Sequence, residues 1–439
     1  MLKKSLFFIT LFFSTLQLFA QIHPIKFYRD SLENGLQIIY CPDNSAPIVA
    51  TVLHYKVGSK DEISTQTGYA HFFEHLMFEA TESIPRASID KYIQEAAGEL
   101  NAHTSFDETV YYFQLPSNQL NLALWIEAQR MRKLKVDTIG VETQRGVVLE
   151  EIKQTTTNQP YGTLFRKVME NLFPGTSYSW EVLGYEKNIA VATIDDFKKF
   201  YDKFYQPNNA ILVITGDFDI KQAREDIRKY FGQYPRANNL KNNIVEITPL
   251  QKPYREIIYD DKVQLPGIFI SFRAPAKTDP DYYALYLLNN ILSRGESSRL
   301  FKRLVLKEQK AVETSIMYMP LKYSGVFLLY AIASIGTDIK DIETILNEEI
   351  KNIIQNGVSD KELQKVKNII ETEFAFANKN NLEKAEALAE YLSYYGDADL
   401  INTEIDRFLK VTIDDIKKVA KKYLDTEKNV TLIYLPKEK

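Results

Sequence analysis

Hydrophobic residues concentrate in two similar pairs of short runs, one pair near the start of the chain and one pair past its middle. The first pair is GLQIIYCPD and IVATVLHYKVG, at residues 35–43 and 48–58, and the second is YREIIYDD and GIFISFRAP, at residues 254–261 and 267–275. β-Branched and aromatic side chains are frequent in these runs, which is typical of strands. We therefore expect each half of the chain to begin with a strand pair that leads into a helix.

A second repeat closes each half. Residues 193–200 read TIDDFKKF and residues 412–419 read TIDDIKKV, and the apolar runs ILVI (211–214) and VTLI (430–433) follow at the same offset. A threonine before acidic residues is a common helix start, because its hydroxyl accepts a bond from a free backbone amide and the carboxylates face the positive end of the helix. Two unrelated helices can share such a start, but the matching strand that follows favours an internal duplication.

A length of 439 residues is too great for one hydrophobic core, so the repeats predict two domains of the α+β class. Each domain is expected to hold a mostly antiparallel sheet with helices packed on it. The first should cover residues 21–235 and its homologue residues 254–439. Residues 236–253, rich in asparagine and bounded by prolines, should link them.

The first twenty residues differ from the rest. Lys3 and Lys4 precede an apolar run that ends at Ala20, which is typical of a cleaved signal peptide over residues 1–20. A membrane anchor is the alternative, but the run is shorter than the roughly 20 apolar residues of a spanning helix. We therefore expect an exported protein without a membrane span after cleavage, most simply in a periplasm and otherwise secreted.

The cysteine count and the charge indicate how the fold is stabilised and which partners it is not expected to bind. Cys41 is the only cysteine, so an intramolecular disulfide is excluded and the cores alone must stabilise the fold. The chain has 54 basic and 58 acidic residues, and the net charge of −4 is spread without long runs of one sign. Nothing in this balance indicates nucleic acid as a partner.

The motif HFFEH at residues 71–75 carries the strongest chemical signal. It lies in GYAHFFEHLMFEAT, whose apolar residues predict a buried helix. On a helix, His71 and His75 lie one turn apart on one face, as two ligands of a single ion must, with Glu74 beside them. Neutral imidazole binds zinc, and a nearby carboxylate can remove a proton from water. Ordinary polar residues on a helix are the alternative, but the spacing is that of HExxH zinc proteases with ligand and base reversed.

A catalytic zinc usually has three protein ligands, and the helix predicted over TQRGVVLEEIKQ offers Glu150 and Glu151 as the third. Glu151 shares a helical stripe with Gln144, whereas Glu150 points about 100° away from Glu151. Composition and periodicity do not choose between these two glutamates.

HFFEH followed by RGVVLEEI resembles the inverted zinc-protease motif of the family of pitrilysin, insulin-degrading enzyme and mitochondrial processing peptidase. Three further stretches resemble the same family and extend the similarity over most of the chain: residues 96–112, 180–218 and 281–304. The resemblance implies a zinc endopeptidase with one Zn²⁺ per chain, and two domains that form half of a clamshell. Its zinc ligands would be His71, His75 and Glu151, and its general base would be Glu74.

The segment LNAHT resembles the exposed edge strand of this family, on which a substrate peptide lies as an added strand held by main-chain hydrogen bonds. The resemblance implies that Asn101 and Ala102 bind peptide substrates. Read without the family, residues 100–104 form only a short strand or turn, and His103 is equally well explained as a surface residue.

Two positions depart from the family pattern. Where the family often has a second glutamate, seven residues before the ligand, this chain has Gln144, which can orient a neighbour but supplies no charge. Members that act alone also carry an arginine and a tyrosine seven residues apart in the second domain, to grip substrate and stabilise the oxyanion. Counted without gaps from SSRLFKRL, these places fall on Val305 and Val312. One half of the usual active site is therefore missing.

From this absence we expect the chain to be the metal-bearing subunit of a heterodimer. The other subunit would be a homologue that lacks HxxEH and carries the arginine and the tyrosine. Two rival functions are a structural subunit of an assembly and a metal-free peptide-binding chaperone. Degenerate metal residues would favour the structural subunit, but His71, Glu74, His75 and Glu151 are all present in this chain. The zinc content of the purified protein would test the chaperone.

Overall fold

The computed structural model describes residues 24–238 and 240–437, with one sheet on each side of residues 236–253. The signal peptide predicted over residues 1–20 lies outside the described residues. Within them, no helix combines the length and the apolar composition needed to cross a membrane. The predicted α+β class with mostly antiparallel sheets is confirmed, while the domain boundaries stay predictions.

The first half contains a sheet and the helices packed on it. Its strands are β1 (Tyr28–Ser31), β2 (Gln37–Pro42), β3 (Ile48–Tyr55), β4 (Glu99–Thr104), β5 (Thr109–Pro116) and β6 (Ala210–Gly216). Its helices are α1 (Tyr69–Leu76), α2 (Ile89–Glu95), α3 (Leu120–Lys133), α4 (Thr138–Ile152), α5 (Leu164–Leu172), α6 (Glu186–Val191), α7 (Ile194–Phe204) and α8 (Ile220–Phe231). The described strands are ordered β1-β2-β6-β3-β5-β4, and β2 and β6 form their one parallel pair.

The second half repeats this arrangement. Its strands are β7 (Tyr254–Asp260), β8 (Gly267–Ala274), β9 (Ala311–Pro320), β10 (Gly325–Ala333) and β11 (Asn429–Pro436). Its helices are α9 (Asp281–Ser293), α10 (Ile339–Asn356), α11 (Asp360–Ala377), α12 (Asn381–Tyr395), α13 (Leu400–Leu409) and α14 (Ile413–Tyr423). In the described part the order is β7-β11-β8-β10-β9, with β7 and β11 parallel, so β7, β11, β8, β10 and β9 correspond to β2, β6, β3, β5 and β4.

The closing helix and strand predicted from the TIDD repeat form in both halves. Thr193 caps α7 and Thr412 caps α14, each in a reciprocal capping box with the aspartate three residues later. The strands that follow, β6 and β11, occupy corresponding positions in the two sheets. The sequence repeat is therefore a repeat of structure.

Each sheet is covered on its second face by a helix from the other half. Helix α12 contacts β3 and β6, and its Leu388 shares an apolar cluster with Ile39 and Val213. Helix α5 contacts β8 and β11, and its Leu172 shares a cluster with Phe269. Since antiparallel sheets often leave one face in water, this reciprocal cover packs the two halves firmly together.

Candidate metal centre

The start of helix α1 is fixed by a buried carboxylate and a glycine. Glu62 accepts hydrogen bonds from the backbone N–H groups of Gly68 and Ala70, both at 2.8 Å, and so satisfies amides that the first turn leaves free. Gly68 has φ of 88°, and a Cβ there would lie 2.5 Å from the carbonyl oxygen of Leu183. Only glycine fits this left-handed approach without strain.

The two phenylalanines inside HFFEH anchor α1 to the core. Phe72 stacks on Phe197 of α7 with ring centroids 4.2 Å apart. Phe73 lies in a cluster of aromatic rings at centroid distances of 5.1 to 6.0 Å, whose other members are Phe197, Phe200, Tyr201 and Tyr205. Burying one face of α1 in this way directs His71 and His75 together toward α4.

His71 and His75 meet Glu151 of α4. Their Nε2 atoms lie 3.6 and 3.3 Å from the same carboxylate oxygen of Glu151. Two ligands that each lie about 2.1 Å from a tetrahedral zinc are separated by roughly 3.4 Å, so these distances fit one ion. Among the described residues this is the one group of three or more His, Cys, Asp or Glu side chains whose ligand atoms converge so closely, all within 4.8 Å.

Glu150, the alternative third ligand, lies outside this group. Its side chain is exposed, and Oε1 accepts a hydrogen bond from Nε2 of Gln154 at 3.2 Å on the outer side of the helix. The structure thus brings together Glu151 and the two histidines, as the resemblance implies. Their role as metal ligands stays a prediction.

The surroundings of the cluster favour protonation states that suit a metal. His71 is 7% exposed, and burial lowers its pKa to about 4, which keeps the imidazole neutral. Hydrogen bonding to His75 lowers the pKa of Glu151 below its usual value and keeps the carboxylate ionised. Neutral imidazole and ionised carboxylate are the forms that bind zinc. The donor set and its protonation therefore fit a zinc ion.

Glu74, the predicted base, lies on α1 next to the cluster but is not a member of it. Burial raises its pKa above the usual value. Its Oε2 atom accepts a hydrogen bond from the Thr104 hydroxyl at 2.6 Å. The hydroxyl and the backbone N–H of Thr104 both favour the ionised carboxylate and partly offset the effect of burial.

The predicted substrate strand is β4, the last strand in the described order of the first sheet. Asn101 and His103 are exposed, whereas Ala102 and Thr104 alternate with them and are partly buried on the side of α1. The backbone N–H of Ala102 donates to Oδ1 of Asn101 at 2.8 Å rather than to a neighbouring strand. The structure therefore places Asn101 and Ala102 at an edge of the sheet formed by the described strands, and their binding role stays a prediction.

Gln144 forms a hydrogen bond with a buried carboxylate, that of Glu79. Its Nε2 donates to the Oε1 of Glu79 at 2.7 Å. Glu79 is buried and forms an ion pair with Arg86, which also binds Asp137 at 2.9 Å. A negative charge is therefore present beside Gln144, but the positive charge of Arg86 neutralises it. The hydrogen bonds and ion pairs among Gln144, Glu79, Arg86 and Asp137 also fix α4 relative to the end of α1.

The second half supplies no arginine at the place where the family pattern expects one. Val305 lies in the π-helical turn Phe301–Lys307 and Val312 lies on β9 with its side chain exposed. Residues 299–312 contain two arginines, and each forms ion pairs with glutamates. Arg299 pairs with Glu362 at 2.7 Å, and Arg303 pairs with Glu308, Glu348 and Glu349.

Sequence reasoning missed three residues of the site: Glu62, Glu79 and Thr104. Period-two alternation along LNAHT would have placed Thr104 on the same face as Ala102, so a signal for that residue existed. Glu62 and Glu79 are two of 58 acidic residues, and no spacing distinguishes them. Their partners become visible only in the folded chain.

Two family models match successive parts of the chain. A family model described as insulinase (peptidase family M16) matches residues 38–185, and one described as the peptidase M16 inactive domain matches residues 192–370. The zinc protease PqqE of Helicobacter pylori is 27% identical over 423 residues, which cover 95% of this chain and 94% of that protein.

Solved structures share the fold. The crystal structure of a protease from Helicobacter pylori matches with a TM-score of 0.89 and 27% identity, over 94% of this chain and all of that one. The first half of the periplasmic protease PqqL from Escherichia coli matches with a TM-score of 0.76 and 21% identity, over 94% and 92% of the two chains. With matching models for both halves and a relative similar over its full length, the chain belongs to peptidase family M16.

Proposed function

We propose that the chain is a zinc-dependent endopeptidase that hydrolyses internal bonds of peptides or unfolded protein fragments. The observation that carries the proposal is the convergence of His71, His75 and Glu151, with Glu74 beside them on the same helix. The similarity to a zinc protease over nearly the whole chain supports it. The rival structural functions require no such cluster.

Each side chain then has a definite task. His71, His75 and Glu151 would hold one zinc ion, which when bound lowers the pKa of a coordinated water to about 7 and polarises a carbonyl. The Glu74 carboxylate would take a proton from the attacking water and later deliver it to the leaving amine. The hydrogen bond from the Thr104 hydroxyl would orient the carboxylate for this transfer.

The substrate would lie along β4. An added strand needs backbone donors and acceptors at an open edge, and it selects little by side chain. The N–H of Ala102 is such a donor, once Asn101 releases it. Because Ala102 and Thr104 lie on the α1 side of β4, a peptide on this edge would run close to Glu74.

The proposed working form is a heterodimer with a homologous subunit that lacks HxxEH. That subunit would supply the arginine and the tyrosine for which this chain has Val305 and Val312. The engagement of Arg299 and Arg303 by glutamates supports this, because neither guanidinium is free to bind a substrate. The matched half of Escherichia coli PqqL belongs to a protein in which a further half is present.

The proposed location is the periplasm, with secretion as the second choice. The signal-like residues 1–20 support export. The periplasmic protease PqqL, with which this chain shares its fold, is consistent with that location.

Replacement of the base tests the proposed reaction. Glu74→Gln keeps the shape of the side chain and its bond from Thr104, but cannot accept a proton. We expect one zinc per chain and a loss of turnover of about 10²- to 10⁴-fold, measured by metal analysis together with a peptide-cleavage assay. His71→Ala should lose both zinc and activity. Retained activity in Glu74→Gln would refute the assignment.

A second experiment tests the partner. The chain is assayed alone and after co-expression with a homologue that carries the arginine and tyrosine but no HxxEH. We expect cleavage to require the complex, since each missing oxyanion donor costs about 10²- to 10³-fold in rate. Equal activity of the isolated monomer would exclude the heterodimer and leave the endopeptidase proposal intact.

A further inference from the structure

The hydrogen bond between Thr104 and Glu74 joins the predicted base to the last residue of β4. Its length of 2.6 Å is typical of a hydroxyl that donates to a carboxylate. Glu74 is partly buried, and Thr104 acts on its carboxylate through both its hydroxyl and its backbone N–H. The orientation of the carboxylate therefore depends on where β4 ends.

The end of β4 is fixed by the turn at residues 105–108. The backbone N–H groups of Ser59 and Lys60 donate to the carbonyl oxygens of Ser105 and Phe106, at 3.2 and 2.9 Å. The contact is close enough that a Cβ on Gly58 would lie 2.5 Å from the carbonyl oxygen of Ser105. This part of the turn is thus pressed against the loop before α1.

Asp107, in the middle of this turn, connects it to the second half of the chain. Its side chain is 4% exposed. Oδ1 accepts from the Tyr178 hydroxyl at 2.7 Å, and Oδ2 accepts from the backbone N–H of Lys322 at 2.9 Å. The Tyr178 hydroxyl in turn accepts from the backbone N–H of Tyr323 at 3.3 Å. Lys322 and Tyr323 form the turn between β9 and β10, so a hairpin of the second half holds the turn that ends β4.

We propose that Asp107 and Thr104 are positioning residues: Asp107 fixes the β4–β5 turn to the second domain, and Thr104 transmits this constraint to Glu74. The inference rests on the proposed endopeptidase function. It gives the second domain, which carries none of the candidate metal ligands, a part in orienting the base. Misplacement of a reacting group by about 1 Å can cost roughly 100-fold in rate, so a constraint of this kind is large enough to matter.

The alternative is that both residues merely stabilise the fold. The two explanations predict that loss of Thr104 changes different kinetic constants. If Thr104 only shapes the strand on which substrate lies, its loss should raise KM. If it orients Glu74, its loss should lower kcat while KM and zinc content stay the same.

The first test compares two variants of Thr104 with a control variant elsewhere in the first sheet. Thr104→Val removes the hydroxyl at constant shape, and we expect kcat to fall by about 10- to 100-fold with KM and zinc stoichiometry unchanged. Thr104→Ser restores the donor and should recover kcat to within about 3-fold. The matched control is Thr215→Val, because Thr215 is buried on β6 and its hydroxyl donates to the carbonyl oxygen of Asn381 at 2.6 Å, away from this turn. Its kcat should remain that of the wild type.

The second test follows the turn without an activity assay. Tyr178→Phe removes one partner of Asp107, and we expect amides of residues 105–108 to exchange with deuterium at least about 10-fold faster, with a fall in kcat. Tyr234→Phe is the control, since Tyr234 donates an equally buried hydrogen bond to Ala128 at 2.9 Å, away from this turn. It should leave exchange of residues 105–108 and kcat unchanged.

A Thr104→Val protein with wild-type kcat, or one whose loss lies in KM alone, overturns the inference. Unchanged exchange of residues 105–108 in Tyr178→Phe overturns the claim that the Tyr178 hydroxyl, which is bonded to Asp107 and to the backbone N–H of Tyr323, helps to fix the turn. Failure of the proposed function is distinguishable from both, because it would show in the unmodified protein as absent zinc or as cleavage that does not depend on Glu74.

Discussion

The two halves of the chain share one strand order, yet among the described residues only the first half brings together three side chains that could hold a metal ion. Helix α1 lies between β3 and β4, and α9 lies at the corresponding place between β8 and β9. The first carries His71 and His75. The second instead carries tyrosines that pack around Phe408 at centroid distances of 4.9 to 6.0 Å, namely Tyr282, Tyr283 and Tyr286.

This difference shows which features belong to the fold and which belong to the site. Both halves need apolar runs, capped helices and a closing strand, and both have them. The cluster needs three additional side chains whose atoms meet within a few ångströms. A scaffold of this kind therefore hosts a site without requiring one, and function must be argued from the site itself.

The largest expected effect comes from removing the cluster. Glu151→Gln should weaken zinc binding by more than the roughly 100-fold that loss of a ligand-supporting residue costs, because it removes an ionised ligand. Cleavage should fall with it. The measurements are zinc affinity by competition with a chelator and peptide cleavage at saturating zinc.

The matched control for this change is Glu150→Gln. It removes the same charge from the neighbouring residue of α4, whose side chain points to solvent. Zinc affinity and cleavage should stay within about 3-fold of the wild type, as for most surface substitutions. If Glu150→Gln abolished binding and Glu151→Gln did not, the third ligand would be assigned to the wrong glutamate.

A second pair of variants separates stability from metal binding. Phe73 of α1 and Phe408 of α13 each lie among buried aromatic rings, one in each half. Phe73→Ala and Phe408→Ala should each lower the free energy of unfolding by about 3–5 kcal/mol. Only Phe73→Ala should also weaken zinc binding, because Phe73 lies between the two histidines on α1.

Urea unfolding and zinc titration of both variants check this expectation. The control is Ile139→Ala, whose side chain is 65% exposed and should cost under about 0.5 kcal/mol. Equal loss of zinc binding in the Phe408 variant would mean that general destabilisation, rather than the placement of α1, controls the cluster.

Local patterns predicted much of the fold. The Thr-Asp-Asp starts predicted α7 and α14, and the apolar runs predicted β6 and β11, because caps and strand composition act over a few residues. The reciprocal cover of the sheets by α5 and α12 was not predicted. It depends on packing between residues far apart in the chain, such as Leu172 with Phe269 and Leu388 with Val213, and no short-range pattern records it.

Local patterns likewise predicted some residues of the candidate site and not others. Helical spacing placed His71, Glu74 and His75 together but did not choose between Glu150 and Glu151. The family resemblance implied Glu151, and in the structure it is Glu151 that meets the two histidines. Asp107 could not be recognised at all from the sequence. Its partners, Tyr178 and the backbone of Lys322, lie 71 and 215 residues away.

An ion pair between the two halves should make a smaller contribution to the free energy of unfolding than the buried phenylalanines do, and this contribution should depend on pH. Nζ of Lys384 on α12 donates to Asp43 at 2.6 Å, and this bond chiefly lowers the pKa of Asp43 from 3.8 to about 2. Because the folded pKa lies below the unfolded one, the stabilisation is present above about pH 3.8 and is lost as the pH falls toward 2. Asp43→Asn should cost about 1–3 kcal/mol near neutral pH, and less with increasing acidity.

Free energies of unfolding at several pH values check this prediction. The control is Asp202→Asn, which removes a carboxylate that is 65% exposed from a pair with Arg132 and should cost under about 1 kcal/mol at any pH. A difference between wild type and Asp43→Asn that stayed constant from pH 5 to 2 would contradict the assigned pair.

The smallest expected effect concerns Thr193 and Thr412, the threonines that cap α7 and α14. The hydroxyls of Thr193 and Thr412 each accept a bond from the backbone N–H three residues later at 3.2 Å, so Thr193→Ala and Thr412→Ala should each cost about 1 kcal/mol. The serine variants should be close to wild type. Because α5 and α12 bind each sheet to the other half, both alanine variants should lower the same unfolding midpoint. Two transitions, each shifted by only one of the variants, would show that the halves unfold independently despite their reciprocal cover.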